Sequence, residues 1–283
     1  MREMKDRKMR EMKDRKMSKK ISGTAEWAVA NANCIIGCRH NCKYCYARSN
    51  AVDRFKNVKP GDWIKEEVNW KQVNKKWKKV PGVIMFPTTH DICPNTKDLK
   101  TLDASIECLK NILKPGNDVL IVSKPHIECI TKICEELVEY KDKILFRFTI
   151  GAMDNEILKH WEPNAPSFGE RFDCLQHAFK SGFKTSVSSE PMLDSDGMVL
   201  MYDMLEPYVT DSIWIGKMNN VRQRVKVQTA EDKKYVDMIV EGQTNAKIHE
   251  IYETLKDDSK VKWKESFKTV LGLELAEEAG TDK

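Results

Sequence analysis

Two periods alternate along the chain after residue 25. Apolar runs of strand length occur at 28–35 (AVANANCI), 82–89 (GVIMFPTT), 118–124 (DVLIVSK), 144–151 (ILFRFTIG), 184–190 (KTSVSSE) and 212–217 (SIWIGK). Between the later runs, apolar residues recur at helical spacing over 102–113, 126–140, 167–182 and 197–205, the pattern of amphipathic helices. Ser167 and Glu170 have the spacing of a capping box, and Gly182 falls where a helix end calls for a left-handed residue. Near-continuous apolar strands alternating with helices predict a parallel sheet covered on its outer face. Six such units predict an α/β fold, a partial (β/α)6 barrel over 21–220 that carries an insertion at 54–80. Residues 221–283 are polar with helical periodicity, clearest in KIHEIYETLKDD, and predict a helical C-terminal extension packed on the barrel.

Charge refines this picture at one end. The net charge of +5 is concentrated in residues 1–20, where ten Lys or Arg face four acids in a doubled MREMKDRK, so the remaining residues are close to neutral. An eight-residue repeat in two copies matches neither a heptad nor a solenoid and predicts a solvated, disordered tail. No run approaches the roughly 20 apolar residues of a membrane span, and the start of the chain lacks the apolar core of a secretory signal. A cytoplasmic protein without membrane partners is expected. Nine cysteines, an odd number in such a chain, favour metal or redox chemistry over a disulfide framework. Cys108, Cys129, Cys134 and Cys174 fall in apolar helical patterns and are expected to pack in the core.

The chemistry concentrates in GCRHNCKYCYA at 37–47, where Cys38, Cys42 and Cys45 follow the first strand. In barrels of this kind, site residues gather at the C-terminal ends of strands. A closed structural zinc site needs four ligands, and His40 is the nearby candidate for the fourth. Three thiolates on a cubane iron-sulfur cluster instead leave one iron without a protein ligand. That vacant position suits a cofactor chelating through an amino and a carboxylate group, as the methionine end of S-adenosylmethionine does. Cys34 lies inside the predicted strand and is expected to pack.

The C-x3-C-x2-C spacing, with Tyr44 as the aromatic before the last cysteine, resembles the signature of the radical S-adenosylmethionine superfamily. The resemblance implies a [4Fe-4S] cluster on Cys38, Cys42 and Cys45, and a one-electron reductant such as flavodoxin or ferredoxin. It also implies cleavage of S-adenosylmethionine to methionine and a 5′-deoxyadenosyl radical that abstracts hydrogen from substrate. Over 30–220, ILFRFTIG and HWEPNAPSFGERFDCLQHAFKSGFK are similar to the spore photoproduct lyase family. That similarity implies that Lys124 meets the cofactor carboxylate and that Thr149 hydrogen-bonds the cofactor. In FPTTHDICP the chain departs from the family, with Thr88 at the position of the cysteine that returns hydrogen to the product radical. An O–H bond is too strong for that role, so Thr88 is expected only to contact cofactor, and Cys93 is the candidate thiol.

Further candidates surround these. His90 is a candidate acid or base, Asp91 either caps a turn or orients cofactor or substrate, and Glu190 ends the fifth strand as an acceptor for cofactor ribose or polar substrate. Glu190 could equally be a strand-end residue exposed to water, and Lys217, at the end of the sixth strand, is likewise either a contact for cofactor or substrate or exposed to water. Residues 54–79 hold nine Lys or Arg against three acids, with Trp63, Trp70 and Trp77 at intervals of seven. Such a segment fits a nucleic-acid surface or an amphipathic helix anchored by three indoles. The expected activity is therefore that of a radical enzyme acting on a nucleic acid or nucleotide. A radical enzyme acting on a peptide or small metabolite and a zinc-binding nucleic-acid module are the alternatives.

Overall fold

The computed structural model describes residues 21–282 apart from Cys93, Asn95 and Lys97; the charged repeat of 1–20 and the candidate thiol Cys93 lie outside the described residues. Seven parallel strands form one sheet in the order β1 (Ala30–Asn31), β4 (Val83–Phe86), β5 (Asp118–Ser123), β6 (Ile144–Thr149), β7 (Lys184–Ser189), β8 (Ile213–Ile215) and β9 (Val261–Trp263). Apart from β9, these are the predicted strands, in sequence order, as right-handed strand–helix–strand units place them. The sheet is consistent with a partial barrel.

Side-chain parity separates the two faces of this sheet. Ile84, Phe86, Val119, Ile121, Ile144, Phe146, Phe148, Val187, Ile213 and Ile215 enter the main core beneath the helices. The alternate positions face inward and are more polar. There Arg147 donates to Ser186 Oγ at 2.9 Å, and Ser186 donates to the Ser212 carbonyl at 2.6 Å. Trp27 and Trp214 meet edge to face at 5.7 Å, with the Arg147 guanidinium over both rings, which fills the inner face away from the cysteine loop.

Several elements differ from expectation. The apolar run 28–35 divides into β1 and β2 (Ile35–Ile36), and β2 pairs antiparallel with β3 (Glu67–Val68) of the insertion. The break follows from Asn33, whose side chain accepts from the backbone N–H groups of Thr88 and Thr89 at 2.7 and 2.8 Å instead of extending the strand. Cys34 is fully buried in the main core. In the helix Phe168–Lys180, Ser167 accepts the N–H of Glu170 as predicted. Glu170 does not complete the box, because its carboxylate accepts from Ile127 N at 3.2 Å and faces His126 Nδ1 at 2.9 Å. Gly182 adopts φ +79°.

The insertion is not one amphipathic helix. Pro60 and Gly61 open a short 3-10 turn, and the helix Trp70–Val73 has a single turn, so residues seven apart share no face. Trp63 is buried against Cys38, Ala47 and Val52, Trp77 is half-buried with the Lys75 ammonium 3.9 Å from its ring, and Trp70 is exposed. The C-terminal region carries the helices Ala230–Gly242, Asn245–Leu255 and Glu265–Leu271, and adds β9, the seventh strand, beside β8. Three residues of VKW within a lysine-rich stretch are too short to announce a strand by periodicity.

Candidate functional site

Gly37 explains how the cysteine loop sits where it does. Its φ is +89°, and a Cβ there would lie 2.5 Å from the Trp63 carbonyl oxygen and 2.8 Å from that of Lys65. This position admits glycine alone, and it lets Cys38 N donate to the Trp63 carbonyl at 2.8 Å. The loop then turns through Asn41, at φ 50°. Neighbours secure its rim: Lys43 N donates to the Trp161 carbonyl at 2.9 Å, Lys43 Nζ to Asp232 at 2.6 Å, Arg39 N to Glu66 at 3.0 Å, and Asn164 Nδ2 to the Arg39 carbonyl at 2.9 Å.

A cavity of about 770 Å³ opens at the C-terminal ends of the strands. Cys38, Cys42, Cys45 and Tyr44 line it from the loop, Thr88, His90 and Asp91 from the segment after β4, and Lys124, Thr149, Glu190 and Lys217 from the ends of β5 to β8. The tertiary structure thus brings together every sequence candidate among the described residues. Burial pushes the thiol of Cys38 well up, with Asp91 and the neighbouring cysteines adding to it. Burial likewise pushes Cys42 up to about 12 despite the nearby Lys124. These thiols stay protonated until a metal's charge displaces the proton.

Among the described residues, no three His, Cys, Asp or Glu side chains converge closely enough to hold a single metal ion. A cubane distributes its thiolates over separate irons and so does not require three side chains converged on one ion, as a zinc site does.

Two buried carboxylates organise the chamber wall. Asp91 accepts from Ile92 N at 2.7 Å, Lys124 N at 2.9 Å and the Ser123 hydroxyl, and pairs with His40 Nδ1 at 3.3 Å. Burial works against its charge, but His40, Lys124 and Ser123 outweigh burial and hold its carboxyl far below the usual range. Asp91 therefore orients the end of β5 and the cysteine loop together. The second carboxylate, Glu162, accepts from the Tyr44 hydroxyl and from Arg171. Arg171 also donates to the carbonyls of Pro166 and Thr149 at 2.9 and 3.1 Å. Glu162 and Arg171 both stand in the HWEPNAPSFGERF stretch that is similar to the spore photoproduct lyase family, but neither stands out there as a site candidate, because nothing local marks a charge for burial.

Lys124 is the exception in this wall. Its ammonium lies 3.9 Å from Glu162 and 5.7 Å from the centre of the Tyr44 ring, beyond hydrogen-bond reach, and it donates no hydrogen bond to any described residue. Burial opposes its charge, but Cys42, Glu162 and Asp91 hold its pKa above that of a free lysine. A cation facing the chamber with unused donors calls for an anionic ligand group.

The remaining candidates are more firmly committed to the protein. His90 Nε2 accepts from Cys34 N at 3.0 Å, so Nδ1 carries the proton that meets the Asp91 carbonyl at 2.8 Å. With both nitrogens bound to backbone groups, His90 braces the loop and has no free nitrogen for acid–base work. The Thr88 hydroxyl accepts from Asn33 Nδ2 at 2.8 Å, and its carbonyl accepts from Tyr46. Glu190 faces the chamber and pairs with Lys264 at 3.1 Å.

Residues 33–196, more than half of the chain, match the model of the Radical SAM superfamily. The chain is 29% identical over 177 residues to uncharacterized protein ORF301 of Acidianus two-tailed virus, a match covering 59% of this chain and 56% of that protein. It is 29% identical over 170 residues to uncharacterized protein MJ0683 of Methanocaldococcus jannaschii, covering 57% and 59%. The match thus spans less than two thirds of the length of either relative. A solved spore photoproduct lyase variant superposes with a TM-score of 0.51 at 15% identity, over 88% of this chain and 79% of that one, a likeness of fold.

Proposed function

The chain belongs to the radical SAM superfamily, and on that premise we propose that it cleaves S-adenosylmethionine at a [4Fe-4S] cluster held by Cys38, Cys42 and Cys45, and abstracts hydrogen from a nucleic acid or nucleotide. The observation that carries this reading is the placement of the Lys124 ammonium, partly buried and making no hydrogen bond to a described residue, in the same chamber as the three thiols. Family membership implies both the cluster and S-adenosylmethionine. When bound and reduced, the cluster supplies the electron that splits the sulfonium. The protein's part is to bind and orient. Lys124 takes the cofactor carboxylate as a point charge, while Tyr44, fixed by Glu162 and Arg171, walls the cluster side. Thr149, Thr88 and Glu190 offer hydroxyl and carboxylate contacts to the cofactor, and Asp91 keeps β5 in register with the cysteine loop. A flavodoxin- or ferredoxin-type reductant in the cytoplasm delivers the electron, and the Cys93 thiol gives its S–H hydrogen atom to the product radical in place of the family cysteine whose position Thr88 occupies, leaving a thiyl radical that one further electron from the reductant and a proton restore.

The substrate class rests on the insertion, where nine basic residues accompany two exposed aromatic side chains, Phe55 at 62% and Trp70 at 55%. The Arg54 guanidinium stacks over Phe55 at 5.1 Å. Exposed rings beside cations suit unpaired bases.

Anaerobic reconstitution tests the core of the reading. A reducible [4Fe-4S] chromophore and 5′-deoxyadenosine released from S-adenosylmethionine are expected, whereas stoichiometric zinc without that product refutes it. For the substrate, salt-dependent binding to single-stranded oligonucleotide should weaken in a Phe55→Ala/Trp70→Ala variant. Unchanged oligonucleotide binding, or turnover of a peptide instead, rejects the nucleic-acid assignment. Cys93→Ala should spare cofactor cleavage and lower product yield, and a normal yield removes that thiol from the scheme.

A further inference from the structure

Lys264 follows β9, beyond the residues that match the family model. Its side chain is only 1% exposed, so its charge must be answered inside the protein. An ammonium carries three donors, and three acceptors surround this one: Glu26 Oε1 at 2.9 Å, the Gly23 carbonyl at 3.0 Å and Glu190 Oε2 at 3.1 Å. The Trp27 ring centre lies 3.7 Å from the ammonium. Gly216 makes room for the arrangement, since a Cβ there would come within 2.7 Å of Lys264 Cγ and 3.1 Å of Glu190 Cγ. Glu26 is held in turn by Glu265 N at 2.8 Å.

The ammonium, near one end of the chain, therefore joins a carboxylate near the other end, Glu26, to Glu190 at the end of β7, and Glu190 is the one that lines the chamber. Without Lys264, Glu26 and Glu190 would face each other uncompensated in a buried setting, and the less buried Glu190 would turn away. We infer that Lys264 is a positioning residue for the cofactor chamber, acting through Glu190 to keep its carboxylate aimed at hydrogen-bond donors of bound S-adenosylmethionine. The inference rests on the reading of Glu190 given above. It makes β9 and the segment around Glu26 working parts of the chamber wall.

The test is a double-mutant cycle on the full chain after anaerobic reconstitution, with S-adenosylmethionine affinity measured by equilibrium dialysis and folding by thermal melts. Glu190→Gln and Lys264→Met should each weaken binding about tenfold, and the double variant should bind about as the singles do, because both remove one shared contact. If Glu190→Gln weakens binding by the same factor with and without Lys264, the lysine acts on stability alone and the inference fails. If Glu190→Gln alone leaves affinity at the wild-type value, the reading of Glu190 fails first and takes the inference with it. Lys264→Gln, which keeps N–H donors, covers the case in which Lys264→Met does not fold. It should bind more weakly than wild type, with Glu190→Gln costing less in its background than in wild type, and an undiminished effect of Glu190→Gln in that background also overturns the inference.

Discussion

Arg171→Met removes the counter-charge of a buried carboxylate while keeping much of the side chain's bulk. Arg171 and Glu162 are both fully buried, and the guanidinium spreads its remaining donors over the Pro166 and Thr149 carbonyls. Removing one partner of such a pair costs about 3–5 kcal/mol, because the other charge stays desolvated and unanswered. At about 2–4 °C per kcal/mol for a chain of this size, the melting temperature should fall by about 6–20 °C. The sign of the pH dependence follows from Glu162. Burial opposes its charge, yet Arg171, Lys124 and Tyr44 together keep its carboxyl below the ordinary value of 4.5. Its contribution to stability is therefore present above 4.5 and is lost as pH falls through the lower folded value. The gap between wild type and variant should be widest near neutrality and narrow in acid. Pairing the substitution with Glu162→Gln removes the stranded charge and should restore part of the loss. Denaturant melts across pH provide the assay. A single-variant cost below about 1 kcal/mol, a gap that ignores pH, or a double variant as unstable as the summed singles would mean that Arg171 does not answer the Glu162 charge.

Three further outcomes are expected. Gly37→Ala must either leave φ +89° or press on two backbone carbonyls, a cost of at least about 1–3 kcal/mol, and should lower the iron retained after reconstitution; full iron content at wild-type stability contradicts the account of the loop. Lys124→Met should weaken S-adenosylmethionine binding by about tenfold or more with a smaller loss of folding stability than Arg171→Met, since its ammonium hydrogen-bonds no described residue and supports Glu162 only from 3.9 Å; an unchanged dissociation constant excludes it as the carboxylate partner. Glu26 is raised from 4.5 to about 7, mainly by burial, with Glu190 adding to the shift and Lys264 and the Glu265 N–H opposing it. A raised carboxyl contributes stability that is complete below 4.5 and lost as pH rises toward 7, so wild type should lose up to about 3 kcal/mol relative to Glu26→Gln over that window. Parallel melting curves for the two proteins would show that Glu26 does not titrate there.

Local pattern carried much of the architecture. The hydrophobic period located six of the seven parallel strands and the helices between them, because a strand buried beneath helices must be apolar whatever its neighbours are. It missed β9, since three residues hold too little of a period, and it misjudged the insertion. Trp63, Trp70 and Trp77 have the spacing of one helical face, but Pro60, Gly61 and the pairing of β2 with β3 prevent a continuous helix. The capping box at Ser167 was half legible, as the hydroxyl's role is local while Glu170 found a partner some forty residues away.

By itself the sequence determined the cysteine triplet, its place after the first strand and the alternation that builds the sheet, because each depends on residues adjacent in the chain. Tertiary structure alone decided which charges are buried and what answers them: Asp91 with His40, Glu162 with Arg171, and Lys264 between Glu26 and Glu190. It also decided that His90 spends both nitrogens on the backbone while Lys124 keeps its donors for the chamber. Desolvation and Coulomb energy depend on distances across the fold, and those distances join segments that no local pattern relates.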